Sequence, residues 1–188
     1  MSKENLRRCM WVDDYTQKYH DEEWGIPVHD DRLLFEMLVL ESFQAGLSWV
    51  IVLKKREGFR KAFDNFDPAI IVNYDDNKIA ELQKDDRIIK SKAKIAATVS
   101  NAKAFLQIQK EYGSFSNYLW EFTDNKVITI HDYNLPEEYQ KLTVTIAKNL
   151  KKKGFKFMGE VTTYAYLQAI GIVNNHDSIC YKSKELSV

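Results

Sequence analysis

The stretch LFEMLVLESFQAGLSW, residues 34–49, determines how the rest of the chain is interpreted. Its first half is apolar at nearly every position, which predicts a central helix that is buried on almost every side. Glycine favours a helix C-terminus and serine an N-terminal cap, so Gly46 is expected to end this helix and Ser48 to begin the next. The stretch therefore predicts a buried helix, a turn over 44–48 and a second helix from Trp49 to Arg56.

Short helices are predicted on both sides of this stretch. Asp30 or Asp31 can cap the central helix, Gly58 is expected to interrupt the second one, and Asp67 followed by Pro68 begins a third. Apolar spacing and stop signals place the others at about 76–84, 91–111, 114–122, 138–153 and 160–170, with a loop over 123–135. The expected fold class is all-α, with many short helices.

The composition favours one helical domain. The chain has 188 residues with only three prolines and seven glycines, and 45% of its residues are hydrophobic, which is enough for a packed core. No run reaches the roughly 18–20 apolar residues that span a bilayer, and the N-terminus lacks the apolar segment of a signal peptide. We therefore expect a cytoplasmic protein without a membrane partner.

The charges are balanced in number but not in position. The chain has 27 Lys+Arg and 27 Asp+Glu, and a net charge of zero by itself counts against nucleic-acid binding. Basic residues nevertheless cluster at 54–56, 90–94 and 148–156. A single cluster of this kind is usually a solvated helix face, but three in a neutral chain also fit a face that binds phosphates. Both interpretations stay open.

The only two cysteines, Cys9 and Cys180, stand near opposite ends of the chain, and each has a histidine nearby, His20 and His176. Two distant cysteines are usually ordinary buried thiols. Two thiolates and two imidazoles, however, also form the closed tetrahedral set that structural zinc prefers. The spacing between Cys9 and His20 is long for a zinc finger, so a zinc site and a pair of core thiols remain alternatives.

Glu41 is predicted to lie in an unusual place. At helical spacing it shares a face with Leu34 and Met37, whereas Arg32 and Glu36 form an i,i+4 pair on another face. A carboxylate on the apolar side of a buried helix costs several kcal/mol, on the order of 2–7 even for lesser polar groups, unless it has a partner. Glu41 is therefore either satisfied by a neighbouring donor or lines a pocket that receives a donor from a ligand.

Aromatic side chains are dense around the same region. Trp11, Tyr15, Tyr19 and Trp24 crowd the N-terminal segment, and Trp49 follows the central helix. Such residues more often belong to a core than to a binding site. A flat, cationic ligand would nevertheless suit them, through stacking and cation–π attraction next to a carboxylate.

Longer motifs carry a resemblance to a known family. They are CMWV from residue 9, YHDEEWG over 19–25, LFEMLVLESFQAGLSW over 34–49, LKKRE from 53, KKKGFKFMG over 151–159, and GIVNNH over 171–176 with Cys180. Across residues 9 to about 181 the chain resembles the bacterial family of DNA-3-methyladenine glycosylase I, in the helix-hairpin-helix glycosylase superfamily. Strings such as QAGLSW and KKxGFKF are specific to it.

The resemblance implies one glycosylase domain over 1–188 with a helix-hairpin-helix DNA glycosylase fold. Segments 1–30 and 155–188 would form a lobe clasped by one structural Zn²⁺, and about 31–154 would form a helical lobe with the hairpin near 89–94. The implied zinc ligands are Cys9, His20, His176 and Cys180.

The resemblance also implies the roles of the site residues. Glu41 would be the carboxylate of the catalytic site and, with Tyr19, would hydrogen-bond the flipped base, selecting a cation more than it catalyses. Trp49 would stack on the base, with Trp11 and Trp24 shaping the pocket. The residues implied to contact DNA are Gly46 and Leu47, which would enter the duplex, and Ser91, Lys92 and Lys94 of the hairpin.

The implied activity is excision of 3-methyladenine from alkylated double-stranded DNA by a monomeric hydrolase without lyase activity, with the free base as product. The chain departs from the family at three points: two fewer residues separate the first ligands, Thr16 replaces a tyrosine, and Ala93 replaces a hairpin glycine. A non-catalytic module that binds DNA lesions and a purely structural zinc protein are the alternative functions.

Overall fold

Helices of varied length make up most of the structure, a computed structural model that describes residues 6–130 and 136–185. The helices are α1 (Gln17–Glu22), α2 (Asp31–Gln44), α3 (Trp49–Ala62), α4 (Pro68–Ile71), α5 (Asp76–Leu82), α6 (Lys92–Tyr112), α7 (Phe115–Trp120), α8 (Glu137–Lys152), α9 (Glu160–Ala169) and α10 (Tyr181–Glu185). Single 3₁₀ turns occur at Asp64–Phe66 and Glu121–Thr123. None of the described helices is both long and apolar enough to cross a membrane.

Helix α2 is the centre of the fold, as its sequence predicts. Every residue from Leu34 to Phe43 is buried, and α3, α6, α7 and α9 all pack against this helix. The Tyr166 hydroxyl donates a hydrogen bond to the carbonyl oxygen of Leu34 at 3.0 Å, which ties α9 to α2. A helix surrounded in this way holds its side chains in fixed positions, including any polar ones.

The two aspartates before α2 cap two different helices. The Asp30 carboxylate accepts a hydrogen bond from the backbone N–H of Leu33 at 2.9 Å and so caps α2. The Asp31 carboxylate instead accepts from the backbone N–H groups of Phe115 and Ser116, both at 2.8 Å, at the start of α7. Asp31 therefore joins two helices that are far apart in sequence.

Gly58 does not interrupt α3, contrary to the expectation from sequence. The helix runs through it to Ala62. A Cβ at this position would lie 2.4 Å from the backbone oxygen of Arg87, so glycine is needed for close packing rather than for a stop. Arg87 belongs to the turn between α5 and α6, residues 83–91, and Gly58 thus allows α3 to contact that turn directly.

Glu36 is not the surface partner of Arg32 that the helical spacing suggests. It is buried, and its carboxylate accepts hydrogen bonds from Arg56 at 2.5 Å and Arg60 at 2.7 Å, both on α3. Arg32 instead lies 3.5 Å from Asp67. Since a buried carboxylate needs partners, α2 and α3 are joined by charge as well as by apolar packing.

The described residues confirm a helical fold, in which one short pair of strands is a small addition. β1 (Ile128–Thr129) and β2 (Val173–Asn174) pair in parallel, with Ile128 opposite Val173. β1 lies within the segment 123–135 that was expected to be a loop, and residues 131–135 of that segment are outside the described residues. The pairing fixes the chain just before His176.

Candidate active site and metal centre

Four residues from the two ends of the chain meet in the interior. Cys9, His20, His176 and Cys180 are all buried, and their ligand atoms lie within 4.8 Å of one another. The Cys9 sulfur is 3.4 Å from His20 Nε2 and 3.4 Å from His176 Nδ1. The Cys180 sulfur is 3.4 Å and 3.6 Å from the same two nitrogens. The structure therefore brings together all four residues that the sequence singled out.

These separations fit a tetrahedral metal site. Zinc bonds of about 2.0–2.3 Å place neighbouring ligand atoms of a tetrahedron about 3.3–3.8 Å apart. Both imidazoles are also oriented for ligation, because His20 Nδ1 lies 2.8 Å from Asp21 Oδ1 and His176 Nε2 lies 3.2 Å from the Trp24 carbonyl oxygen. Each ring thereby turns its other nitrogen toward the sulfurs, and the four residues could hold a metal ion.

The surroundings of the cluster are consistent with this use. Burial lowers the pKa of His176 to about 4, which keeps the ring neutral and able to bind a metal. Burial also raises the pKa of the Cys9 thiol to about 12, so without a cation nearby this sulfur keeps its proton. The backbone N–H of Asp177 points at the Cys9 sulfur at 3.3 Å.

A cleft of about 170 Å³ lies beside this cluster. Tyr19 from α1, Glu41 from α2 and Trp49 from α3 face one another across it. The complete lining consists of Trp11, Tyr19, Trp24, Glu41, Gln44, Trp49, Ala165 and Gln168. All five predicted pocket residues therefore line one cleft, and α9 adds the residues Ala165 and Gln168, which the sequence did not single out.

Glu41 is the most unusual group in the cleft. Its Oε2 atom is buried and has no hydrogen-bond partner among the described residues, and the same holds for the indole Nε1 of Trp49. Burial raises the pKa of Glu41 to about 8. With this pKa the carboxyl group favours the protonated form in the free protein at neutral pH. Two buried polar atoms, Glu41 Oε2 and Trp49 Nε1, are left for a ligand.

The aromatic residues connect the cleft with the metal cluster. The Tyr19 and Trp49 rings lie 5.4 Å apart at 53°, and the Trp11 and Trp24 rings 5.0 Å apart at 77°. Trp24 also meets His176 edge-on at 4.5 Å, and Trp11 meets His20 at 5.4 Å. Two walls of the cleft thus pack directly on two members of the metal cluster.

Tyr15 and Thr16 take no part in the cleft. Tyr15 is exposed, and its ring lies 3.8 Å from the Lys54 ammonium group. The buried Thr16 hydroxyl lies 2.9 Å from an Asp13 carboxylate oxygen, just before α1. Neither residue is therefore among those that line the cleft.

A roomier cleft of about 340 Å³ lies elsewhere, lined by residues that include Val28, Leu33 and Met37. Its lining residues contain none of the buried, unpartnered side-chain atoms that the structure describes. It is larger than the first cleft, but the first cleft holds the buried, unpartnered polar atoms that a specific ligand would satisfy.

The residues expected to contact DNA lie on the turn between α2 and α3 and at the start of α6. Gly46 has a φ of +83° and Leu47 is 40% exposed, so the turn between α2 and α3 presents its tip to solvent. Ser91 precedes α6 and Lys92 is exposed in its first turn. Lys94 differs from the expectation, because its ammonium group donates to the carbonyl oxygens of Phe43 and Ala45, each at 2.8 Å.

Comparisons with known proteins agree with this geometry. A sequence profile described as methyladenine glycosylase matches residues 9–183. The chain is 41% identical to the DNA-3-methyladenine glycosylase of Haemophilus influenzae over 92% of this chain and 96% of that one. It is 39% identical to DNA-3-methyladenine glycosylase 1 of Escherichia coli, over 91% and 94%.

Solved structures give the same result. A crystal structure of 3-methyladenine DNA glycosylase I superposes with a TM-score of 0.87 at 41% identity, over 93% of this chain and 98% of that one. The enzyme of Staphylococcus aureus, solved to show the structural basis of 3-methyladenine recognition, gives 0.85 at 33% identity, over 91% and 92%.

The fold, the cleft and these matches define the class of the protein: it is an enzyme of the DNA glycosylase class. More particularly, the chain belongs to the methyladenine glycosylase family, whose profile covers nearly its whole length.

Proposed function

We propose that the protein excises 3-methyladenine from alkylated duplex DNA by hydrolysing its N-glycosidic bond, with the free base as product. The observation that carries the proposal is the buried, unpartnered carboxyl group of Glu41 in an aromatic cleft. Methylation at N3 makes adenine cationic and weakens its bond to the sugar. The leaving group is therefore already activated, and the protein needs to recognise it more than to activate it.

Recognition in this proposal depends on charge. The base reaches the cleft by flipping, which costs a few kcal/mol and least for a damaged base. Glu41 gives up its proton to solvent water when the cation arrives, because a nearby positive charge favours the ionised carboxylate. Neutral adenine offers no such compensation. Trp49 and Tyr19 then hold the flat ring, with Trp11 and Trp24 as walls.

The cleft also supports a hydrolase without lyase activity. A lyase of this class would need an amine that attacks the sugar carbon, and the residues that line the cleft include no lysine. On the DNA side, Gly46 and Leu47 would fill the space that the base leaves. Residues Ser91 and Lys92 of a helix-hairpin-helix formed by α5, the turn 83–91 and α6 would bind backbone phosphates.

The four-residue cluster is proposed to hold one structural Zn²⁺ through Cys9, His20, His176 and Cys180. The metal would clasp the segments 1–30 and 155–188 of a monomeric, single-domain enzyme, while about 31–154 form the helical part. The bond-length fit of the four ligand atoms supports zinc, since two thiolates and two imidazoles complete its coordination and leave no open position.

The decisive experiment is a release assay on purified protein. Duplex DNA treated with a methylating agent should lose 3-methyladenine as the free base, without strand cleavage at the resulting site. Folded protein that binds methylated DNA but releases no base would instead identify a lesion-binding module, the competing function. Folded protein that binds neither the DNA nor the free base would leave a purely structural zinc protein as the remaining interpretation.

A further inference from the structure

The contact between Lys94 and the end of α2 is not explained by phosphate binding. Lys94 lies in the first turn of α6, directly after the turn 83–91. Its half-buried ammonium group donates two hydrogen bonds of 2.8 Å, one to the carbonyl oxygen of Phe43 and one to that of Ala45. Burial lowers the pKa of Lys94, as expected for a cation withdrawn from solvent. A side chain engaged in this way is turned away from a duplex.

The end of α2 needs such a partner. The last carbonyl groups of any helix lack partners within the helix and carry partial negative charge. α2 has no basic residue in its own last turn. The Gln44 carbonyl is satisfied locally, by the backbone N–H of Leu47 at 2.6 Å. Lys94 supplies from another helix the cation that α2 does not supply itself.

The Lys94 contact lies close to three parts of the proposed site, which are Glu41, the Gly46–Leu47 turn and the turn 83–91. Phe43 lies two residues after Glu41 on α2, and Ala45 immediately precedes Gly46 and Leu47. Among the described residues, nothing lies within 4 Å of a Cβ built on Gly46, so the turn is open to its surroundings at this residue. A turn that presses into a duplex would be pushed back toward the protein, and the Lys94 contact lies at the base of this turn, where it would resist that push.

We propose that Lys94 is a positioning residue that fixes the Gly46–Leu47 turn relative to the turn 83–91 and the start of α6. Binding of Ser91 and Lys92 to the DNA phosphates and insertion of Gly46 and Leu47 into the duplex then occur together. The proposal rests on the function proposed above. It assigns Lys94 to this contact within the protein and leaves phosphate binding to its neighbour Lys92, which is exposed.

The test compares Lys94→Met with Lys92→Ala. Loss of a phosphate contact lowers the steepness of the salt dependence of binding by about one. Lys92→Ala should therefore weaken binding to undamaged duplex and reduce that slope. Lys94→Met should leave both within about twofold of wild type but slow single-turnover base release by about tenfold or more, since two charge-assisted hydrogen bonds are lost. Lys94→Arg should restore most of the rate.

Two further measurements separate this role from a general loss of structure. Free 3-methyladenine should bind Lys94→Met as it binds wild type, because the cleft is intact. Amide hydrogen exchange at residues 45–48 should be faster in Lys94→Met without DNA, which requires no catalytic activity and so tests the contact even if wild type releases no base. A reduced salt slope with normal base release, or unchanged exchange at 45–48, would overturn the proposal.

Discussion

At the scale of single residues, burial of Glu41 has opposite effects on two properties. It favours binding of a cationic ligand, and it lowers the stability of the free protein when the carboxyl group is ionised. The Glu41 carboxyl group is buried without a partner, and its pKa is raised to about 8. A ligand that brings a positive charge recovers part of the free energy lost to burial. The same burial destabilises the free protein whenever the group is ionised.

Glu41→Gln should therefore weaken base recognition selectively. The substitution keeps the size of the side chain but removes the charge, and hydrogen bonds to charged groups contribute about 1.5–3 kcal/mol. We expect excision from methylated DNA to fall by about tenfold to a hundredfold, with binding to undamaged duplex nearly unchanged. Paired measurements of excision rate and duplex affinity check this. Equal losses in both would remove Glu41 from base recognition.

The raised pKa of Glu41 predicts that the stability of the wild-type protein depends on pH. Since the pKa of Glu41 is raised from 4.5 to about 8, the folded state binds more protons than the unfolded state between those values. The contribution of Glu41 to stability is therefore complete below about pH 4.5 and is lost as pH rises toward 8, at up to about 1.4 kcal/mol per pH unit.

Denaturant unfolding of wild type and Glu41→Gln from pH 5 to pH 9 measures this difference directly. Glutamine does not titrate, so the free energy of unfolding of Glu41→Gln relative to wild type should increase with pH and level off above about pH 8. A stability difference that does not change with pH would show that Glu41 is not held in a desolvated site.

At the scale of secondary-structure elements, the close contact of α3 with the turn 83–91 makes a prediction of its own. Gly58→Ala would place a Cβ 2.4 Å from the backbone oxygen of Arg87, and backbone cannot rotate away as a side chain can. We expect a loss of about 1–3 kcal/mol in the free energy of unfolding. Because the turn is displaced, duplex binding should weaken more than binding of the free base.

A matched glycine provides the control. Gly159 has nothing within 4 Å of a Cβ built on it, so Gly159→Ala should have little effect on unfolding. If Gly58→Ala is as stable as Gly159→Ala in the same thermal and denaturant measurements, α3 and the turn do not meet as closely as described.

The elements that sequence predicted well are those determined locally. The apolar run of α2, the Asp30 cap and Gly46 each act within a few residues, and all were found as expected. Gly58 was misinterpreted, and Lys94 makes a contact that the sequence did not indicate, because each depends on a partner that is distant in the chain. Local patterns indicate that a glycine or lysine is unusual, but only tertiary packing shows what it contacts.

The site followed the same rule. Cleft residues with unusual chemistry, such as Glu41 and Trp49, could be singled out because a carboxylate on an apolar face and clustered aromatics are visible in sequence. Ala165 and Gln168 could not, since an alanine and a glutamine on a helix carry no such signal. The raised pKa of Glu41 also depends on how completely its neighbours exclude water, which no spacing reveals.

At the scale of the whole molecule, the proposed metal closes nearly the entire chain into one loop, from Cys9 to Cys180. Closing loops of this length can contribute about 4–5 kcal/mol in chain-entropy models. His176→Ala, or removal of the metal by a chelator, should lower the melting temperature markedly. Metal analysis of protein purified without added zinc should give about one ion per chain.

Another histidine serves as the control for this prediction. His29 lies outside the cluster and is 3.2 Å from the Ser116 hydroxyl. His29→Ala should retain the metal and most of the stability. Wild-type protein that contains much less than one ion per chain and melts at the same temperature with chelator would reduce the four residues to ordinary core side chains.

Trp11 packs on His20, Trp24 packs on His176, and both rings line the cleft. This arrangement has a consequence for spectroscopy. Indole emission depends on the local environment, so these two rings would report from one place on events at two sites. Filling the metal cluster and filling the cleft should each change the same fluorescence signal. A titration with one ligand in the presence of the other would then read out whether the clasp and the cleft influence each other, without any label attached to the protein.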